Sequence, residues 1–204
     1  TPVMSADAST KTLDRQETTT VSVPNPYVIQ LDQIINTVGL PCFIKPNRAG
    51  SSFGISKAHT KEEILPAILH AYKEDSEILI ESFLDGTKVS VGVIQYKGET
   101  KVLPITEIVS ENDFFDYEAK YEGKSQEITP ARISLAQQAN VEEVAKKIYD
   151  ILNISGFSRS EFIFIKSEPY FLEMNTVPGL TAKSILPQQA KVAGISLAGL
   201  FESA

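Results

Sequence analysis

The chain has 204 residues, a formal net charge of -7, 42% hydrophobic residues and 22% charged ones. That is ordinary globular composition, enough for one large domain or two small ones. The acidic balance argues against nucleic acid as a partner, because phosphate-backbone binding needs a basic surface. No apolar run approaches the ~18 residues that span a bilayer, and no signal peptide is visible. The lone cysteine, Cys42, excludes an internal disulfide and reads as a small core residue. The chain opens at Thr1 in what reads as mid-domain sequence, so a fragment is expected.

Taken in order, residues 1–20 are polar and weakly helical at best, with Lys11, Asp14 and Arg15 among them. Residues 21–27 carry Pro24 and Pro26 and read as an extended linker. Leu31, Ile34, Ile35 and Val38 follow helical spacing up to Gly39. A short buried strand over 42–45 follows, then a polar loop over 46–52 and a second strand over 53–57. Thr60 and Glu63 have the spacing of a capping box for a helix to about Lys73, with Pro66 expected to kink it. Strands are expected over 77–83, 89–96 and 101–108, the last two joined by a hairpin turn at Lys97-Gly98-Glu99. Residues 109–133 read as one long polar loop, and such loops are functional lids or disordered. Val141, Val144, Ile148 and Leu152 mark the buried face of a helix over 134–152. Strands over 157–166 and 170–176 and short helices over 184–192 and 197–201 close the chain. His59 and His70 read as surface or satisfied packing residues. The mixture of mostly hairpin-connected strands with a few helices is α+β.

The last two strands hold the densest chemistry. Side chains alternate along a strand, so Arg159 shares a face with Glu161, and Glu173 with Asn175. If the strands pair across Ser167-Glu168-Pro169, two carboxylates, an amide oxygen and a guanidinium converge. Such hard oxygen donors suit Mg²⁺ that also holds phosphates. A solvated polar face is the other reading, since antiparallel sheets often carry one. The loop from Asn47 to Gly54 contains Gly50, Ser51 and Ser52, whose backbone and hydroxyls can bond phosphate oxygens. It is not a Walker loop, and an ordinary hairpin loop is the more frequent meaning of such a string. Lys45 at the preceding strand end can point at a phosphate or lie on the surface. Glu81 to Leu84 end a strand, where backbone groups can meet an adenine edge with Phe83 and Leu84 against its face; a plain strand-to-turn junction is the alternative.

The order of these features resembles the D-alanine–D-alanine ligases of the ATP-grasp superfamily. The matching strings are Phe43-Ile-Lys-Pro, Gly50-Ser-Ser-Phe-Gly, Phe115-Asp-Tyr-Glu-Ala-Lys-Tyr, Ser158-Arg-Ser-Glu and Glu173-Met-Asn-Thr-Val-Pro-Gly-Leu-Thr. The resemblance implies an ATP-grasp fold, with two α+β subdomains gripping ATP. It implies a polar segment over 1–20, a central subdomain over 21–86 and a C-terminal subdomain over 87–204. It implies that Lys45 and Lys120 hold ATP phosphates under the loop from Gly50 through Ser51 and Ser52 to Gly54. Glu81, Phe83 and Leu84 would hold adenine, with Phe114 and Leu172 lining its pocket. Glu161, Glu173 and Asn175 would bind two Mg²⁺ ions, with Mn²⁺ as a substitute. Arg159 and the Gly179 N–H would stabilise a tetrahedral oxyanion. Ser184 and Ile185 would hold the carboxylate of the second D-alanine, and Ser51 with Tyr121 would order the first. The implied reaction joins two D-alanines through an acyl phosphate for peptidoglycan precursor synthesis. A cytoplasmic homodimer, with neither nucleic acid nor membrane as partner, goes with it.

The departures from the family pattern are specific. Lys88 stands where a glutamate usually meets the ribose hydroxyls. Arg15 stands in place of a phosphate-binding lysine, and Glu161 in place of an aspartate. The family's N-terminal domain has no counterpart here, so this chain alone is expected to ligate poorly or not at all. Two other readings stay open: a ligase joining D-alanine to D-lactate or D-serine, and a nucleotide-binding fragment without catalysis. Lys88 speaks for the last, and the intact set Glu161, Glu173 and Asn175 against it.

Overall fold

The structure, a computed structural model, describes residues 18–21, 30–110 and 125–202. The chain divides into two compact units, Thr1–Phe83 and Leu84–Ala204.

The first unit contains strands β1 (Thr18–Val21), β2 (Cys42–Pro46), β3 (Ser56–Ala58) and β4 (Ile78–Ser82), with helices α1 (Leu31–Val38) and α2 (Lys61–Ala71). The strands form an antiparallel sheet in the order β1-β4-β2-β3. Alternation along β2 buries Cys42 and Ile44. They join Ile80, Ile34, Val38, Ile64 and Ile68 in one core. Each such fully buried aliphatic contributes roughly 1.5–3 kcal/mol. The opposite face of β2 is left to Phe43 and Lys45, and that parity decides where the lysine points.

Several expectations change here. Thr18–Thr20, read as polar and weakly helical, belong to β1, paired along β4. The second strand begins at Ser56 rather than Phe53, because residues 51–54 form a turn. Thr60 caps α2 without a side-chain hydrogen bond. Glu63 reaches one residue further back instead, and its carboxylate accepts the His59 N–H at 2.7 Å. α2 runs without a break through Pro66. The bond Pro66 cannot make would go to the carbonyl of Glu62, an exposed residue, which water can serve.

The second unit contains β5 (Thr87–Tyr96), β6 (Glu99–Val102), β7 (Thr106–Ser110), β8 (Ser125–Ile128), α3 (Leu135–Ile151), β9 (Phe157–Ile165), β10 (Glu168–Asn175), α4 (Ile185–Val192) and α5 (Leu197–Phe201). The sheet order is β10-β9-β5-β7-β8, with β6 on the far half of β5. One face, Val89, Val91, Val93, Phe162 and Phe164, is covered by Val141, Ala145 and Tyr149 of α3. On the other face Ile94 and Leu103 pack with Leu186 and Ala190 of α4 and Leu200 of α5.

The expected single strand over 101–108 is two strands, broken at residues 103–105, so that β6 and β7 each pair with a different half of β5. The expected structureless loop over 109–133 is also partly strand. β7 extends to Ser110 and pairs with β8, and residues 111–124 lie outside the described residues. α3 begins with a complete capping box between Ser134 and Gln137. Its buried stripe is Val141, Ala145 and Tyr149, while Val144 and Ile148 are half-buried and Leu152 is 53% exposed. Tyr149 is an interior residue because its hydroxyl donates to the Gly156 carbonyl at 2.9 Å. Cys42 is buried as expected, and burial pushes its thiol pKa up.

Candidate functional site

The β9–β10 hairpin turns at Lys166-Ser167, and its register sets Glu173 opposite Glu161 and Asn175 opposite Arg159. Ser90 of β5 lies opposite Glu161 on the other side, and Thr106 of β7 opposite Ser90. Thr106, Ser90, Glu161 and Glu173 therefore form one row across four strands, on the face away from α3. The next row is Gly92, Arg159 and Asn175. Directly opposed residues on one face bring their Cβ atoms within about 5 Å.

Simple alternation does not produce this row. Phe171 pairs with Phe162, a core residue, and regular alternation would send Glu173 to the same side. A bulge between Phe171 and Glu173 shifts the register, so Leu172 and Glu173 together stand against Glu161. A one-residue shift exchanges the two faces of a strand. The bulge thus delivers the second carboxylate to the first.

Glu161 is 4% exposed. Its Oε1 accepts the Ser90 hydroxyl at 3.1 Å and lies 3.4 Å from an Arg159 guanidinium nitrogen. Its Oε2 is buried with no hydrogen-bond partner among the described residues, as is Arg159 Nε. Burial pushes the Glu161 carboxyl above the usual carboxylate range, and Glu173 adds to this; Lys88, Arg159 and the Ser90 hydroxyl pull the other way. Lys88 acts from the same face, two residues before Ser90 on β5.

An ionised carboxylate with one idle buried oxygen is costly unless a cation meets it. The donor set Glu161, Glu173 and the Asn175 amide oxygen fits Mg²⁺ or Mn²⁺, which take hard oxygens and fill other positions with water or phosphate. No group of three or more His, Cys, Asp or Glu that could hold a metal occurs among the described residues. The set is therefore two carboxylates and an amide, not a closed protein cage.

Beyond β10, Ser184 caps the N-terminus of α4 without a side-chain cap bond. Its hydroxyl is engaged instead by the Thr181 N–H at 3.2 Å and the Thr181 hydroxyl at 2.9 Å. The first-turn N–H groups at and beyond Ile185 therefore have no capping side chain from Ser184. A Cβ on Gly179 would stand 2.8 Å from the Ser184 oxygen, so glycine lets these two candidate residues meet.

In the first unit, Lys45 and Glu81 share the outer face of β2 and β4 and form an ion pair at 2.7 Å, both largely buried. Phe83 stacks at a tilt on Phe43 at 6.0 Å, and the Lys57 ammonium sits 3.9 Å above its ring. One ring face is thus already occupied by a cation. Ser51 and Ser52 have positive φ of 54° and 63°. Non-glycine residues in that region cost of order 1–3 kcal/mol each, and such strain clusters at ligand loops.

Glu161, Glu173, Asn175 and Arg159 are brought together, Gly179 meets Ser184 beside Ile185, and Lys45 meets Glu81. Leu172 lies at the bulge and Leu84 is half-buried at the start of the second unit. Phe114, Lys120 and Tyr121 lie outside the described residues. Sequence reasoning missed Ser90 and Gln189. The signal for Ser90 was present: the alternation Val89, Val91, Val93 assigns 88, 90 and 92 to the opposite face. Gln189 carries no such signal.

The fold has solved counterparts. The VanG D-Ala:D-Ser ligase from Enterococcus faecalis superposes with a TM-score of 0.74 at 36% identity, over 85% of this chain and 51% of that one. A D-alanine–D-alanine ligase from Bacillus anthracis superposes with 0.78 at 27%, over 93% and 60%. The architecture is thus α+β of the ATP-grasp type. The family model described as D-ala D-ala ligase C-terminus matches residues 15–203, and the chain belongs to that family. Among curated relatives, the D-alanine–D-alanine ligase of Flavobacterium johnsoniae is 69% identical over 176 residues, 86% of this chain and 54% of that protein. That of Christiangramia forsetii is 60% identical over 183 residues, 87% and 56%. The chain spans about half the length of the curated relatives it matches.

Proposed function

We propose that this chain is the nucleotide- and metal-binding part of an ATP-dependent D-alanine–D-alanine ligase serving peptidoglycan precursor synthesis in the cytoplasm. The observation that carries the reading is the idle buried oxygen of Glu161, facing Glu173 across one strand pair. The domain assignment proposed is a first ATP-grasp subdomain with Lys45 and the Gly50–Gly54 loop, and a second with the metal and substrate residues. Glu161, Glu173 and Asn175 would hold two Mg²⁺ ions, or Mn²⁺. Bound there, the metal supplies charge neutralisation for phosphoryl transfer.

The chain's own residues do the rest. Lys45, with Lys120 from the undescribed stretch, binds phosphate oxygens, and the strained Ser51-Ser52 turn closes on them. Glu81 accepts from the adenine edge, with Phe83, Leu84, Phe114 and Leu172 around the base. The first D-alanine, ordered by Ser51 and Tyr121, takes the γ-phosphoryl on its carboxylate, and ADP leaves. The amine of the second D-alanine attacks that carbonyl, and inorganic phosphate leaves. Arg159 and the Gly179 N–H face the oxyanion that develops. The α4 N-terminus at Ser184 and Ile185 takes the second carboxylate, because helix N-termini favour anions. The stretch between β7 and β8, which carries Lys120 and Tyr121, serves in this reading as a lid that excludes water. A homodimer is proposed for the whole protein by analogy alone.

Calorimetric titration of Mg-ATP into the chain tests the reading. Binding is expected, with a loss of tenfold or more in Lys45→Met and of about a hundredfold in Glu161→Gln. No binding by the unaltered chain, or equal binding by Glu161→Gln, sinks it. Ligation is proposed for the whole protein. Product analysis there with D-alanine, D-serine and D-lactate as second substrate identifies the acceptor, and D-alanyl-D-alanine is expected.

A further inference from the structure

We infer that Gln189 is a positioning residue that fixes the metal-facing carboxylate of Glu161 and the helix proposed to hold the second amino acid to one strand. The inference rests on the metal reading of Glu161 above. Gln189 is fully buried in the middle of α4. Its amide nitrogen donates to the Ser90 carbonyl at 2.8 Å and to the Thr106 hydroxyl at 3.1 Å. Ser90 in turn donates its hydroxyl to Glu161 Oε1. Thr106 accepts from Gln189 and so directs its own hydrogen to the Thr129 hydroxyl, 2.6 Å away. The result is an oriented chain, with Gln189 anchored at Ser90 and Thr106 and Ser90 passing that constraint to Glu161.

Three features show that this is more than filling. A buried amide in an otherwise apolar helix contact is costly unless its position is fixed by hydrogen bonds. Turning the amide over would set its oxygen against the Ser90 carbonyl, so the donor orientation is forced; its Oε1 has no partner among the described residues. Gly92, next in line on β5, makes the room: a Cβ there would stand 2.5 Å from Gln189 Oε1 and 2.6 Å from Leu186 Cδ1. The sheet thus gives up a side chain in the row beside the carboxylates to admit this one. Residues behind a metal ligand orient it, and their loss characteristically weakens metal affinity tenfold or more.

The test is Mn²⁺ binding to the chain, followed by electron paramagnetic resonance with Mn²⁺ alone as the probe. Ser90→Ala is expected to weaken binding about tenfold, and Gln189→Met, of similar volume, about threefold to tenfold. In a Glu161→Gln background Gln189→Met should produce no further change, because its effect passes through that carboxylate. A purely structural role would lower the melting temperature of Gln189→Met and leave Mn²⁺ affinity where it was, which overturns the inference. Should Gln189→Met not fold, Thr106→Val removes one of its two acceptors and must shift Mn²⁺ affinity the same way; an unchanged affinity overturns the inference equally. If Glu161→Gln loses Mn²⁺ and Gln189→Met does not, the metal reading stands and only the role of Gln189 falls. If Glu161→Gln binds as well as the parent, both fall.

Discussion

The two units each hold a carboxylate beside a cation, one half-buried and one buried, and they hold it differently. In the first, Glu81 and Lys45 meet at 2.7 Å, a close and complete pair. In the second, Glu161 is deeper, its nearest guanidinium contact is 3.4 Å, and one of its oxygens has no partner among the described residues. A complete pair is a resting structure that must open to receive a ligand. An incomplete one is a standing cost that a ligand relieves. Proteins tolerate such costs at functional sites and compensate for them elsewhere.

Replacing the incomplete carboxylate tests that contrast most strongly. Glu161→Gln is expected to weaken divalent-cation binding about a hundredfold and yet raise the melting temperature of the metal-free chain by a few degrees, roughly 1 kcal/mol. The pH dependence gives the sign. The Glu161 carboxyl holds its proton more tightly folded than unfolded. Its contribution to stability is therefore present below the unfolded value, about 4.3, and is lost as pH rises through the higher folded value. Thermal melts of the parent and the variant should diverge as pH is raised from 4 to 7. Glu107, held below the usual carboxylate range by its Arg132 partner, provides the opposite case. Its contribution is present above about 4.3 and is lost as pH falls through its lower folded value. Arg132→Ala should flatten that acid-side loss, because the side chain that holds the Glu107 carboxyl low is removed.

The docking of α4 gives the next effect. Gly92→Ala forces a methyl into Gln189 and Leu186 and is expected to destabilise by about 1–3 kcal/mol, read by denaturant midpoint. A neutral result would mean that α4 moves freely on β5, and the contrast between the two carboxylates would lose its rigid frame. Smaller still is the difference between the two helix starts. Ser134→Ala removes a working capping box and should cost about 1 kcal/mol, whereas Thr60→Ala, where no side-chain bond exists, should cost only a few tenths. Equal costs would contradict the geometry at Thr60.

The caps also show what the sequence disclosed. Thr60 and Glu63 have the right spacing, but a spacing does not say which N–H a carboxylate takes, and Glu63 took that of His59. Strand parity placed Arg159 with Glu161, and Glu173 with Asn175, because period-2 patterns are local. The bulge that turns Glu173 toward Glu161 was not legible, since it arises from pairing between two strands. Ser90 was half-legible from the valines around it. Gln189 was not, because a glutamine on a short helix reads as surface until the partner 99 residues away is known. The loop over 109–133 was overextended because β7 and β8 support each other, and neither is strongly apolar alone.

Crystals of the chain soaked with Mn²⁺ and a non-hydrolysable ATP analogue give the most direct test, read by anomalous scattering. The expected result is a manganese peak about 2.1 Å from Glu161 Oε2 and within reach of Glu173 and the Asn175 oxygen. A peak elsewhere, with Glu161 Oε2 closed instead on Lys88 or Arg159, would contradict the assignment of that oxygen to a metal.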